Sequence, residues 1–208
     1  MYTKQVFACL FAAAVLAAPT LATATPPARK PTALAIDAQK SKVEWFGKKV
    51  FVDNYSHKGT IDLTKGALVV DGGKLIGGTI EVDMTSIKNS DLTDAGKNAK
   101  LVGHLKSDDF FGVEKYPTGT FKITKATPKG GNQYDLTGDL TLKGKTNSIT
   151  FPATVDIKGT RATATAKFAV DRSKYDVKFG SKSFFSDLVG DNIIADDFEL
   201  TVNLVAGK

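Results

Sequence analysis

From Val43 onward, apolar and polar side chains alternate with a period of two, in run after run along the chain. Val43 and Trp45 alternate with Lys42 and Glu44, and Ile61 and Leu63 with Thr60, Asp62 and Thr64. Ile76, Gly78, Ile80, Val82 and Met84 fall on one face of the next run, with Leu75, Thr79, Glu81 and Asp83 on the other. Further runs follow through Phe121 and Ile123, then Leu136, Leu140 and Leu142, then Ile149, Phe151, Val155 and Ile157. Phe168 and Val170 come next, and Phe198, Leu200, Val202 and Leu204 close the series. Such a period gives each strand one dry and one wet face, the pattern of antiparallel sheets. Asp71-Gly72-Gly73, Lys129-Gly130-Gly131-Asn132, Lys143-Gly144-Lys145 and Lys158-Gly159-Thr160 separate the runs at hairpin spacing. Short connections predict up-and-down order. About eight strands with one apolar face make a sandwich or a closed barrel, and closure removes the exposed edges. The expected fold is all-β, a single antiparallel up-and-down β-barrel.

One stretch breaks the pattern. Residues 90–106 predict a short helical insertion, with Ser90 as N-cap, Asp91 and Asp94 in the first turn, and Leu92, Ala95, Ala99 and Val102 at helical spacing. Residues 103–121 then mix His104, Lys106, Asp108 and Asp109 with Phe110, Phe111, Tyr116 and Phe121. Ser107 is placed to cap a short helical turn, and Pro117 biases Tyr116 toward an extended approach to the next strand. This segment is expected to close one end of the barrel.

Residues 1–24 have the layout of an export signal: Lys4, a short apolar run, and Ala22-Thr23-Ala24 as the cleavage site. Its removal lowers the formal charge from +6 to +5 and takes away Cys9, the single cysteine. The remaining chain then has no disulfide, thiolate metal site or cysteine nucleophile. Residues 25–33 form a proline-rich leader, and residues 34–206 a single domain large enough for a sizeable core. The destination this predicts is the periplasm or the exterior. The lysines are scattered, so the basic excess serves general solubility or a transient contact with an anionic membrane surface.

Catalytic chemistry is sparsely supplied. His57 and His104 are the two histidines. A His104–Asp108 pair could orient a general base, or join Asp109 in a metal site, but no further His or Cys completes a zinc site. Neither catalytic residues, a metal nor a cofactor is expected. Acidic residues interleaved with the lysines argue against nucleic acid. The small residues Ala162, Ala164 and Ala166 share a face with Phe168 and Val170, and Gly78 lies beside Ile76 and Ile80. They either leave a cavity or sit opposite large side chains that fill it.

Three blocks resemble one family: residues 104–121, residues 134–155 and residues 168–204 (FAVDRSKYDVKFGSKSFFSDLVGDNIIADDFELTVNL). Together they are similar to the YceI-like, lipocalin-like proteins that bind polyisoprenoids, over nearly the whole chain after the leader. The resemblance implies a lumen enclosing an isoprenoid tail, an isoprenoid quinone or polyprenyl phosphate, held without turnover and moved or sequestered in the exported compartment. On that reading Trp45, Phe121, Phe151, Phe168 and Phe198 line the lumen beside Ala164. Phe110, Phe111, Phe184 and Phe185 stand at the mouth, or else plug the barrel end as ordinary core. Arg172 either holds the head group or pairs with Asp176. The alternative is a filled structural barrel acting through its surface, for example in a stress response. A homodimer is compatible with either, but no heptad or large apolar surface specifies one.

Overall fold

The computed structural model describes residues 30–207, so the segment expected to be an export signal and most of the expected leader lie outside the described residues. Nine strands form: β1 (Thr32–Ala35), β2 (Lys42–Lys48), β3 (Ser56–Asp71), β4 (Lys74–Asn89), β5 (Thr118–Gly130), β6 (Gln133–Leu142), β7 (Lys145–Lys158), β8 (Arg161–Asp171) and β9 (Asp197–Gly207). One α-helix, α1 (Ala95–Lys106), is inserted between β4 and β5. From β2 onward each strand pairs antiparallel with the next, and β9 returns to β2. The result is the expected closed up-and-down barrel of eight staves. β1 and β2 lie end to end along β3, with residues 32–35 facing 70–67 and residues 43–48 facing 61–56. They act as one interrupted stave, and Thr32 and Ala33, assigned to the leader by sequence, already belong to it.

The inward face divides into two packed regions. At the end holding the β3–β4, β5–β6 and β7–β8 turns, Leu34, Leu68, Leu75, Tyr134, Leu136, Val155, Leu204 and Ala206 pack into a dry base. At the other end Met84, Phe110, Val113, Leu142, Val170, Tyr175 and Val177 form a second cluster. It seats the segment after α1 on the barrel end, as expected. The cluster has one polar cost: the buried Tyr175 hydroxyl lacks a hydrogen-bond partner, and burial pushes its pKa up to about 12.

Two local expectations are corrected. In β4, Val69 faces Gly77 and Val70 faces Leu75, so Ile76 is an extra residue in a bulge. The bulge reverses the faces below it: Leu75 is buried and Ile76 is 46% exposed. The helix starts later than Ser90, because the Asp94 carboxylate accepts from the Lys97 amide and caps α1. Its packed face is also rotated. Ala95 and Ala99 are exposed, while Asn98 donates to the Asn89 and Leu92 carbonyls and anchors the helix. Ser107 ends α1, its hydroxyl donating to the His104 carbonyl, and also opens the following turn, its carbonyl accepting from the Phe110 and Gly112 amides.

The wall is not uniform. β7 and β8 pair only from Lys158–Arg161 to Ala153–Ala166. The ladder stops beside Pro152, which has no N–H to contribute. Above that point the two strands are joined by the parallel stack of Phe151 on Phe168, 3.8 Å apart, and by Asn147 donating to the Lys174 carbonyl.

Large aromatics are accommodated by glycine on the facing stave. Gly59 pairs with Trp45, and a Cβ there would stand 2.7 Å from the indole while also striking the Lys88 carbonyl. At Gly138 a Cβ would meet the Phe121 ring at 2.6 Å. Gly59→Ala is therefore expected to destabilise the barrel by about 1–3 kcal/mol. Gly47→Ala, where a Cβ meets nothing within 4 Å, should leave the urea midpoint near wild type.

Candidate ligand-binding site

Between the dry base and the upper cluster lies an unfilled space of about 110 Å³. Alternation places its walls: Phe198, Leu200 and Val202 from β9, Ala164, Ala166 and Phe168 from β8, Phe151 from β7, Leu140 from β6 and Phe121 from β5. The lining is almost wholly carbon. Phe121, Phe168, Leu200 and Val202 point inward yet are only half-buried, because part of their surface faces this space. Both sequence readings of the small residues hold in different places: Ala162 and Ala206 are packed into the base, while Ala164 and Ala166 border the void.

A second space, about 350 Å³, sits at the upper end and forms the mouth. Its walls come from the ends of β2 and β3 (Trp45, Lys49, Tyr55, His57), from Leu101, His104 and Leu105 of α1, and from Phe110, Phe179 and Ile194. Ile61, Phe111 and Phe198 line both spaces, so lumen and mouth meet at these three side chains. Phe111 and Phe198 stand edge to face with centroids 6.3 Å apart and make the constriction.

The sequence-selected residues therefore separate. Phe121, Phe151, Ala164 and Phe168 surround the lumen; Trp45 and Phe110 border the mouth, and Phe111 and Phe198 border both. Phe184 and Phe185 lie in neither wall. They are 41% and 47% exposed on the 181–189 loop, with Phe185 facing an outer groove. The wall residues passed over by sequence were partly legible. His57 and, just before β3, Tyr55 continue the odd-numbered positions of Ile61 and Leu63 back through Gly59, and Leu101 and Leu105 are an i, i+4 pair. Phe179 and Ile194 come from irregular chain, which has no period to read.

Arg172 holds that irregular chain. Its Nε donates to the Ala195 carbonyl (2.9 Å), Nη1 to Val177 (2.9 Å) and Phe179 (2.8 Å), and Nη2 to Ile194 (3.1 Å). Nη2 also stands 3.4 Å from Asp196. Four of the five guanidinium N–H donors are thus hydrogen-bonded to backbone carbonyls, and Asp196 stands beside the group as its ion-pair partner. The acidic partner is Asp196, not Asp176, which pairs with Lys178. Lys143, in the β6–β7 turn, donates to the carbonyls of Asp108 and Asp176 and ties the segment after α1 to the segment after β8.

The histidines make separate pairs. His104 meets Asp109 (3.2 Å) rather than Asp108, which pairs with Lys115. The His104 ring stands edge-on to Phe110 and Phe179. His57 Nδ1 lies 2.8 Å from Asp91, which also accepts from the Lys58 amide and Asn89. Among the described residues no three His, Cys, Asp or Glu side chains gather as metal ligands.

The model of the YceI-like domain matches residues 34–206. The chain belongs to the YceI-like family. A UPF0312 protein of Pseudomonas putida is 34% identical over 129 residues, which is 59% of this chain and 65% of that protein. One from Vibrio parahaemolyticus is 40% identical over 74 residues, 36% of this chain and 35% of that one. The chain thus matches between about a third and two thirds of these relatives' lengths. Among solved structures, Burkholderia cenocepacia BcnA is 29% identical with a TM-score of 0.64, covering 82% of this chain and 99% of BcnA. A polyisoprenoid binding domain from Saccharophagus degradans shares the fold at 15% identity and a TM-score of 0.62, with 84% and 97% covered.

In this YceI-like barrel Asp91 joins the wall of the mouth to the root of α1. Burial alone would raise its carboxyl pKa; the Lys58 amide, His57 and Asn89 outweigh that and hold it below the ordinary 3.8. A depressed folded value means the stabilisation is complete above 3.8 and is lost as pH falls through the folded value. Asp91→Asn should therefore lower the melting temperature near neutrality, and the difference from wild type should shrink in melts at progressively more acid pH.

Proposed function

We propose that this protein binds an isoprenoid lipid, a quinone or a polyprenyl phosphate, with the tail in the lumen and the bulkier end in the mouth, and without turning it over. The observation that carries the reading is an apolar lumen adjoining a larger mouth, the two sharing Ile61, Phe111 and Phe198 as walls. The structural kinship with a polyisoprenoid binding domain supports the same class of ligand. A prenyl tail in water carries a penalty of about 0.8 kcal/mol per methylene, so a carrier outside a bilayer must enclose it.

The volumes set the orientation. The mouth, at 350 Å³, lies within the roughly 300–1,000 Å³ of ordinary small-molecule sites, whereas the lumen, at 110 Å³, admits only a slender chain. Arg172 also borders the mouth but is almost wholly buried with four donors on carbonyls, so a polar head would meet Lys49, Tyr55 and His57 first. His57 and His104 both border the mouth, each held by its own carboxylate, Asp91 and Asp109. The reading includes export by residues 1–24 and sequestration or transfer of the lipid in the periplasm.

Native mass spectrometry of the protein from its exported compartment, followed by organic extraction, tests this. The expected result is a one-to-one adduct that extracts as a prenylated lipid. Ala166→Phe, which fills the lumen, should reduce retention roughly tenfold, equivalent to about 1.4 kcal/mol, while the unfolding midpoint stays near wild type. A bare mass that does not change on incubation with quinones or polyprenyl phosphates would leave the filled structural barrel as the better description.

A further inference from the structure

Nine large apolar side chains are exposed among the described residues, and seven of them stand on two neighbouring loops beside the mouth. Val50, Phe51 and Tyr55 belong to the loop between β2 and β3. Phe179, Phe184, Phe185 and Val189 belong to the segment between β8 and β9. Backbone hydrogen bonds lock the roots of the loops together: Val50 N donates to the Ile193 carbonyl and Ala195 N to the Lys48 carbonyl. Arg172 clamps both ends of the second loop through Val177, Phe179, Ile194 and Ala195. The result is a ledge with a fixed base and apolar tips.

Soluble surfaces scatter such residues singly; a concentration of them marks a contact. The pattern within the ledge indicates what is contacted. Exposure is greatest at Phe51 (66%) and Val189 (70%), which are loop protrusions rather than parts of a flat face. A second copy of this chain would need a matching pocket for each protrusion over roughly 800 Å² per partner. A fluid lipid layer needs none. Ammonium groups lie against the aromatics, Lys49 Nζ 4.5 Å from the Tyr55 centroid and Lys178 Nζ 5.2 Å from that of Phe184. Aromatic and lysine side chains paired in this way suit the water–hydrocarbon boundary. Asp53, Asp176, Asp187, Asp191 and Asp196 share the two loops with Lys49, Arg172, Lys174, Lys178 and Lys182, so the formal charges cancel.

We propose that the two loops dock the mouth on a lipid bilayer by inserting Phe51, Phe184, Phe185 and Val189 into its interface, held by apolar burial rather than by net charge. The position of the ledge gives the contact a purpose, which rests on the lipid-binding reading above: a tail would pass between hydrocarbon and lumen without crossing water.

Flotation of the full chain with vesicles of phosphatidylethanolamine and phosphatidylglycerol is the test. Wild type should float with the vesicles at low and at molar salt. The double variant Phe51→Ser, Val189→Ser should partition roughly tenfold less or lower, and Ile76→Ser, exposed at the opposite end of the barrel, should float like wild type. Thermal melts of both variants establish that the barrel is intact. Absence of flotation, equal flotation by the double variant, or loss of wild-type binding in molar salt would overturn the proposal. So would self-association that the same substitutions abolish without any vesicle binding. Lipid retention measured on the same samples separates the two readings: retention without flotation defeats docking alone, and flotation without retention defeats the lipid-binding lumen alone.

Discussion

The return of β9 to β2 is the constraint on which everything else depends. Residues 42–46 face residues 203–199, and that ladder turns a meander into a container. With no free edge, every inward position of eight staves shares one enclosed space. What those positions carry then decides how full the space is. Near the β3–β4, β5–β6 and β7–β8 turns, Leu, Val and Tyr side chains from all round the ring meet and exclude water. Higher up, alanines on β8 face rings on β5, β7 and β9 that do not close the gap. A barrel of this circumference can be filled or hollow; here it is filled at the base and hollow above.

The hollow end would be a hole in the protein if irregular chain did not wall it, and irregular chain needs its backbone polar groups satisfied. Arg172 meets that need for the β8–β9 segment by gathering four carbonyls with one guanidinium. Burial pulls its pKa down, while Asp196 and Asp171 pull the other way. A buried charge held by this many acceptors is well compensated, and removing it would strand all of them together. Lys143 does similar work on the neighbouring segment, joining the carbonyls of Asp108 and Asp176. Two cations used as backbone cross-links thus shape the mouth, and the arginine commits four of its donors to that role.

Much of this was legible in the sequence because the pleat leaves a written record. The period-two runs located the lumen residues Phe121, Phe151, Ala164, Phe168 and Phe198 correctly on the inward face. Where the record was misread, a local device had shifted the phase. The extra residue at Ile76 exchanged it with Leu75, a change that a bulge makes without any signature in composition. In α1, Gly96 and the short length left the helical phase poorly fixed, and the Asp94 cap set a later start than Ser90. Phe184 and Phe185 were drawn to the mouth by their type alone, but a loop has no periodicity to say which way a ring points. The Arg172 clasp was invisible because its acceptors are carbonyls, which every residue has.

The narrowness of the lumen bears on how any ligand would enter. Phe111 and Phe198 border both mouth and lumen, one from the segment after α1 and the other from the start of β9, where it faces Val170 across the ladder. Lower down, Phe151 and Phe168 bridge the part of the wall where β7 and β8 have no ladder. Ring contacts are non-directional compared with strand hydrogen bonds, so the wall there is held by the forces that a bound chain could replace. A tail displacing one ring from the other exchanges one apolar contact for another and breaks no ladder bond. The base, with its continuous ladders and packed side chains, offers no such exchange. The same closed ring therefore combines a floor held by strand ladders with an upper wall held in part by ring contacts, and Pro152 marks the level at which one gives way to the other.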